Sequence, residues 1–190
     1  MFRVALALAL FGVSLAASAQ VEVLQVERMA ATGAAPLAVG DRILGIRTVE
    51  GTQLRPERVL DWLTFEFDEL PNGAATLEVA RGDQRLTLSL EDGRQRVLVA
   101  SAADDLDAAG RAEDAALVAL LKALYGEQLD QLAARLDALP AADTTAPAPQ
   151  QLARALVEAD ALVRQTRLPE AIARLQPLLG AAAETPMQAL

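Results

Sequence analysis

Leu37-Ala38-Val39-Gly40-Asp41-Arg42-Ile43-Leu44-Gly45-Ile46 sets a Gly-Asp pair directly ahead of a short apolar run. Gly reaches backbone conformations that other residues avoid, and Asp hydrogen-bonds its own local backbone, so the pair turns the chain. The run after it, Arg42 to Ile46, predicts a short strand. Upstream, Val21 to Val26 predicts another strand, and the small residues from Ala30 to Pro36 predict a loop. Downstream the period changes. Pro56 stands where a first helical turn tolerates it, and Leu60, Leu63 and Phe67 recur at helical spacing, which predicts a short helix from Arg55 to Phe65. Pro71-Asn72-Gly73 stops it. Leu77 and Val79, then Leu86, Leu88 and Leu90, alternate with Glu78, Ala80, Thr87 and Ser89 about Arg81-Gly82-Asp83-Gln84. That is the pattern of a hairpin with one buried face.

From Asp104 onward the strand signals vanish, and Ala, Leu, Glu, Asp, Arg and Gln dominate, a helix-forming composition. Val118, Leu121, Tyr125, Leu129, Leu132, Leu136 and Leu139 fall three and four apart, which predicts one apolar stripe on a helix or a helix pair bent near Gly126. Pro140 ends it. The segment Pro140 to Pro149 reads as a semi-extended Pro/Ala/Thr linker, with two more helices over Gln150 to Gln165 and Pro169 to Leu179.

The chain has 190 residues, 53% of them hydrophobic but only 3% aromatic, so its core is built mainly from Leu, Val and Ala. With neither Cys nor His it cannot form a disulfide, a thiolate nucleophile, the usual zinc site or a Ser-His-Asp relay. A net charge of −9 argues against nucleic-acid binding, which needs cations clustered on one face. All 17 cations except Lys122 are Arg, and along the sequence they are scattered. Met1-Phe2-Arg3, the apolar run Val4 to Ala17, and Ala17-Ser18-Ala19 before Gln20 form the three parts of a cleavable export signal, with cleavage expected after Ala19. No second long apolar run follows. The mature chain is therefore expected to be periplasmic or secreted, without a permanent membrane span.

The ordered features from Leu37 to Leu90 resemble bacterial PDZ domains: the Gly40-Asp41 turn and its strand, the Arg55 to Phe65 helix, Gly73, and the closing hairpin over Ala75 to Leu90. In that family the helix walls a peptide groove, and a loop of backbone amides holds a peptide carboxylate beside an added strand. In bacterial members that loop precedes the segment matched by Val21 to Met29, a place taken here by the leader. The resemblance thus implies a PDZ-like domain without the usual carboxylate cradle. Ala159 to Leu175 resembles a tetratricopeptide helix pair, with Ala159 and Ala171 where the helices touch and Leu162, Leu168 and Leu175 filling the contact. The fold expected is α+β: a small PDZ-like β-barrel or sandwich with one helix, followed by an α-helical region. Its parts are a leader over 1–19, the PDZ-like domain over 20–100, a helical segment over 104–139, a linker over 140–149 and the hairpin over 150–190.

Arg58, Trp62 and Phe65 share a face of the expected groove helix and are the candidate ligand-groove residues; the alternative is that Trp62 closes the core. Asp104-Asp105-Leu106-Asp107 lacks the Gly and distal Glu of a calcium loop and reads as a helix start. Glu66, Asp68 and Glu69 read as loop charge, and Ser101 and Lys122 lack the surroundings of a serine-lysine dyad. Arg81-Gly82-Asp83 is a hairpin turn. No catalytic residue, cofactor or metal emerges. The sequence points to an exported, non-catalytic adaptor or scaffold for another envelope protein, and alternatively to an accessory relative of a PDZ-containing periplasmic protease. The leucine stripe equally fits a homodimerising element.

Overall fold

The computed structural model describes residues 20–26, 31–32, 36–91, 96–102 and 106–183; the expected leader and residues Asp104 and Asp105 lie outside them. The protein is mixed α+β. Strands β1 (Val21–Val26), β2 (Ala31–Thr32), β3 (Arg42–Thr48), β4 (Gln53–Leu54), β5 (Ala75–Arg81), β6 (Gln84–Leu90) and β7 (Val97–Ser101) form an antiparallel sheet. Its path is β2-β6-β5-β3-β1-β7, with β4 paired to β3. This is an open sheet rather than the expected barrel or sandwich, because among the described residues β2 and β7 end the path without pairing to each other.

The Gly40-Asp41 turn forms as its sequence dictates. Gly40 sits at φ +87°, and Asp41 is buried with three partners: it accepts from Ala38 N at 2.8 Å and from Arg81 Nε and Nη2, each at 2.7 Å. Arg81 also donates to Pro36 O, so the residue read only as part of a hairpin staples that hairpin to the turn. Burial pushes the Asp41 pKa up, but the paired Arg81 and the Ala38 N–H outweigh it and hold the carboxyl below its ordinary value. A depressed carboxylate adds stability that is present above the unfolded pKa and lost as pH falls through the folded one, a window below about pH 4. Asp41→Asn is expected to cost roughly 1–3 kcal/mol at neutral pH. It should also flatten the acid limb of a urea-stability profile, and an unchanged limb would refute this role for Asp41.

The first helix starts later and runs on further than the sequence predicts. α1 spans Val59–Thr64, a π-helical turn Phe65–Glu69 continues it, and a 3₁₀ turn Leu70–Asn72 finishes it. Arg58 is extended, and Asp61 reaches back to accept from the N–H groups of Glu57 and Arg58, both at 2.9 Å, which fixes the start. Gly73 ends the run at φ +157°, where an added Cβ would lie 2.8 Å from Val49 Cγ1.

Helices α2 (Ala108–Tyr125), α3 (Leu129–Asp137), α4 (Ala148–Arg164) and α5 (Leu168–Ala183) make up the rest. Of the two expected forms the helix pair is found: the chain bends at Gly126-Glu127, where Glu127 takes φ +53° and the helix direction resets. Leu117, Leu120, Leu121 and Leu124 therefore turn inward while Leu129 is 51% exposed. In the α4–α5 hairpin Ala159, Leu162 and Ala171 meet as expected, joined by Leu175 and by Leu136 of α3, but Leu168 is 55% exposed. The expected linker is pinned. Gln151 donates to the carbonyls of Thr144 and Ala146, and Arg154 donates to that of Pro140.

Two apolar clusters share α1. Trp62 and Phe65 pack with Ile43, Ile46, Leu77 and Val79 on one face of the sheet. Val59, Leu60 and Leu63 pack with the leucines of α2 and with Leu98, whose strand neighbours Val97 and Val99 belong to the first cluster. Strand alternation thus puts helices behind the β1–β7 end of the sheet through Leu24 and Leu98. The same face of β3, β5 and β6 carries exposed Arg42, Arg47, Glu78, Arg85 and Thr87.

Candidate functional site

The three residues expected to line a groove do not share one. Trp62 and Phe65 are each 1% exposed, their ring centroids 5.4 Å apart, and Trp62 Nε1 donates to Val97 O at 3.1 Å. With so few aromatics in the chain, these two fill the sheet core. Arg58 lies at the other side of α1, in the seam with the helices, donating to Glu113 Oε2 at 2.7 Å and to Asp114 Oδ1 at 3.1 Å. The flank of α1 that a peptide would use is covered by α2 and α4.

That seam holds a chain of charges. Arg154 bridges Glu113 and Glu158, Glu158 reaches Arg174 at 2.7 Å, and Asp114 accepts the Val59 N–H that opens α1. Burial raises the Asp114 pKa, and the Arg58 charge and the Val59 N–H offset only part of that. Arg154, Glu113, Glu158 and Asp114 spend both sides of their charged groups on other parts of the fold, so the chain ties helix to helix. Gln150 of α4 adds a hydrogen bond to Asp61 of α1 at 2.8 Å.

The other motifs resolve into structure. Asp107 caps α2 by accepting from Gly110 N at 2.7 Å. Glu66 is buried and accepts from Arg96 N, while Asp68 is exposed, so these carboxylates do not face one space as a hydrolytic pair requires. Ser101 Oγ donates to Glu57 O, and Lys122 is exposed in the last turn of α2. Among the described residues no cluster of three or more metal-ligating side chains occurs, and no helix is long and apolar enough to cross a membrane.

What the fold leaves open is the far face of β3, β5 and β6, a concavity of roughly 1080 Å³. Register assembles it in cross-strand rows. Gln53, Arg47 and Thr76 form one row, Gly45, Glu78 and Thr87 the next, and Arg42, Ala80 and Arg85 the third, with Glu22 beside Arg42 on β1. Arg55, just beyond β4, joins the rim. Gly45 lies at an irregularity in the β3–β5 register, and its missing side chain leaves room for the Glu78 carboxylate, 3.8 Å from where a Cβ would stand. No ion pair engages Arg42, Arg47, Arg55 or Arg85 among the described residues, whereas Arg58, Arg81, Arg154, Arg164, Arg167 and Arg174 are all paired.

No protein-family model, curated protein or solved structure matches this chain. The open sheet face is therefore the candidate site on geometry alone. Its arginines, scattered in sequence order, converge because antiparallel pairing brings residues 42, 47 and 85 onto one surface. Arginine at outward positions on both β3 and the hairpin was the one signal in the sequence that pointed there.

Proposed function

We propose that this chain is an exported, non-catalytic adaptor of the cell envelope that holds another protein on its PDZ-like sheet half. The reading is carried by the open face of β3, β5 and β6: a concave surface on hydrogen-bonded strands, lined by long polar side chains that the fold itself does not use. Rigid strands hold such side chains at fixed spacing with little ordering cost on binding. Relative to the resemblance, the binding surface moves from the helix flank, which α2 and α4 cover, to the sheet face turned away from Trp62 and Phe65. The helical half is the second module of the adaptor. Its exposed Val163, Leu168 and Ile172 lie apart from the sheet face, on α4 and α5.

The test is a photo-crosslinker placed in living cells at Thr87, on the sheet face, or at Gln131, on α3. Expected is one discrete adduct from position 87, absent from 131. The double substitution Arg42→Glu/Arg85→Glu should weaken it roughly tenfold with only a small fall in thermal midpoint, since both side chains are exposed and the added like-charge contact is with Glu22 at the surface. Amino-terminal sequencing of the exported chain should begin at Gln20. Adducts of equal yield from both positions, or one indifferent to the charge reversal, would rule out the sheet face as the binding surface.

A further inference from the structure

We infer that the occupant of the sheet face is an acidic, extended polypeptide segment with two carboxylates four residues apart, gripped at one end by Arg42 and Arg85 and at the other by Arg47 and Arg55. This rests on the adaptor reading and specifies its partner. Four guanidinium groups face Glu78 and Asp83 along the concavity, in a chain whose overall charge is −9, so the face stands out as locally basic. The cations form two poles. Arg42 and Arg85 share a cross-sheet row two strands apart, about 10 Å at the usual strand spacing. Arg47 lies five positions from Arg42 along β3, but the irregularity before Gly45 sets their rows only four residues apart on β5, at Thr76 and Ala80, about 13 Å at roughly 3.3 Å per residue, and its cross-strand neighbour Gln53 stands two residues before Arg55.

Between the poles the surface changes sign. Glu78 stands in the middle row between Gly45 and Thr87, and Glu22 tempers the outer side of Arg42. A uniform polyanion would meet Glu78 head-on. A peptide in extended form avoids this: residues i and i+4 point to the same side and span about 13 Å, while the backbone N–H groups between them suit a carboxylate acceptor. Arg forks bind carboxylates bidentately, which favours them over lysine in this role. Nucleic acid is disfavoured because no aromatic side chain lines the face for base stacking. A bilayer is disfavoured because the surface is concave and its apolar residues, such as Leu44 and Leu54, are half-buried between the strands.

The test uses fluorescence anisotropy on the purified chain with labelled short peptides in a Thr/Ser/Ala background: two Glu residues at i and i+4, the same with Gln, and the same two Glu residues at i and i+1. A single-stranded DNA oligonucleotide and phosphatidylglycerol vesicles serve as the other anionic probes. The i,i+4 Glu peptide should bind roughly tenfold more tightly than the Gln peptide at low salt, and the advantage should fade toward 1 M salt, where screening acts over about 3 Å. Arg42→Glu/Arg85→Glu should abolish the advantage. Glu78→Gln should increase affinity for the Glu peptide about two- to fivefold, an effect opposite in sign to any loss of fold. Equal binding of Glu and Gln peptides would overturn the charge inference and leave the adaptor reading standing. Equal binding of the i,i+1 peptide would overturn the two-pole geometry. Tighter binding of the oligonucleotide or vesicle would overturn the choice of a polypeptide partner. If no probe binds and position 87 gives no adduct in cells, the adaptor reading itself fails.

Discussion

Arg154→Ala is expected to remove about 3–5 kcal/mol from the free energy of unfolding, the range seen when one partner of a buried ion pair is deleted. Arg154 is 5% exposed and serves three acceptors on three parts of the fold: Glu158 on its own helix, Glu113 on α2 and the Pro140 carbonyl ahead of the pinned segment. Alanine leaves buried Glu158 and half-buried Glu113 short of a cation and the carbonyl short of a donor. Glu113 keeps Arg58 and Glu158 keeps Arg174, which holds the cost within that range. Arg174→Ala makes the contrast. Its guanidinium is half exposed and serves Glu158 alone, so its loss should cost about 1 kcal/mol or less. Arg154→Lys should fall between the two, because a single ammonium cannot meet three acceptors fixed by a planar fork. Urea denaturation of the three variants checks the order, and limited proteolysis between Ala141 and Ala146 should quicken in Arg154→Ala alone. A loss below 1 kcal/mol for Arg154→Ala would mean that the charges are solvated and that the seam is held by its leucines only.

The parts of this fold that local chemistry decides were legible in the sequence. Gly40-Asp41, the strand after it, the Leu77 to Leu90 hairpin and the last two helices follow from turn chemistry and periodicity and appear close to their expected limits, whereas the first helix is shifted toward Asn72. What was not legible depends on residues far apart in the chain. The helical period puts Trp62 and Phe65 on one side of α1 but does not say whether water or a strand lies opposite; pairing of β1 with β7 brings Val97 there instead. Leu129 and Leu168 carry the apolar pattern yet face outward, because Gly126-Glu127 and Thr166, the last at φ +61°, reset the direction of the helices that follow. The candidate site was hidden for the same reason: Arg42 and Arg85 are brought together only through Ala80, the residue both face across the sheet.

Trp62→Ala should produce the other large effect, about 3–5 kcal/mol, as expected for emptying a site filled by the largest side chain in the core. Trp62→Phe, which keeps most of the apolar volume but withdraws the donor from Val97 O, should cost about 1–3 kcal/mol. The distribution of the damage matters more than its size. α1 gives Trp62 to the sheet cluster and Val59, Leu60 and Leu63 to the helical cluster, six residues of helix serving two cores. Arg58, Asp61 and the Gln150 hydrogen bond tie its first turn to α2 and α4. If these ties make the two halves one cooperative unit, Trp62→Ala will lower amide protection equally in β5, β6, α2 and α4, and unfolding will remain a single transition. Loss of protection confined to the strands would show that α1 parts from the helices, leaving the sheet and the helical half as independent bodies. The first outcome gives the arginine-lined face a rigid mount, since α1 packs against Ile43 and Leu77 on the reverse of the strands that carry Arg42 and Glu78. A partner seated there would then stabilise the helical half as well, and protection of α4 amides should rise on addition of the acidic peptide, although that helix does not line the face.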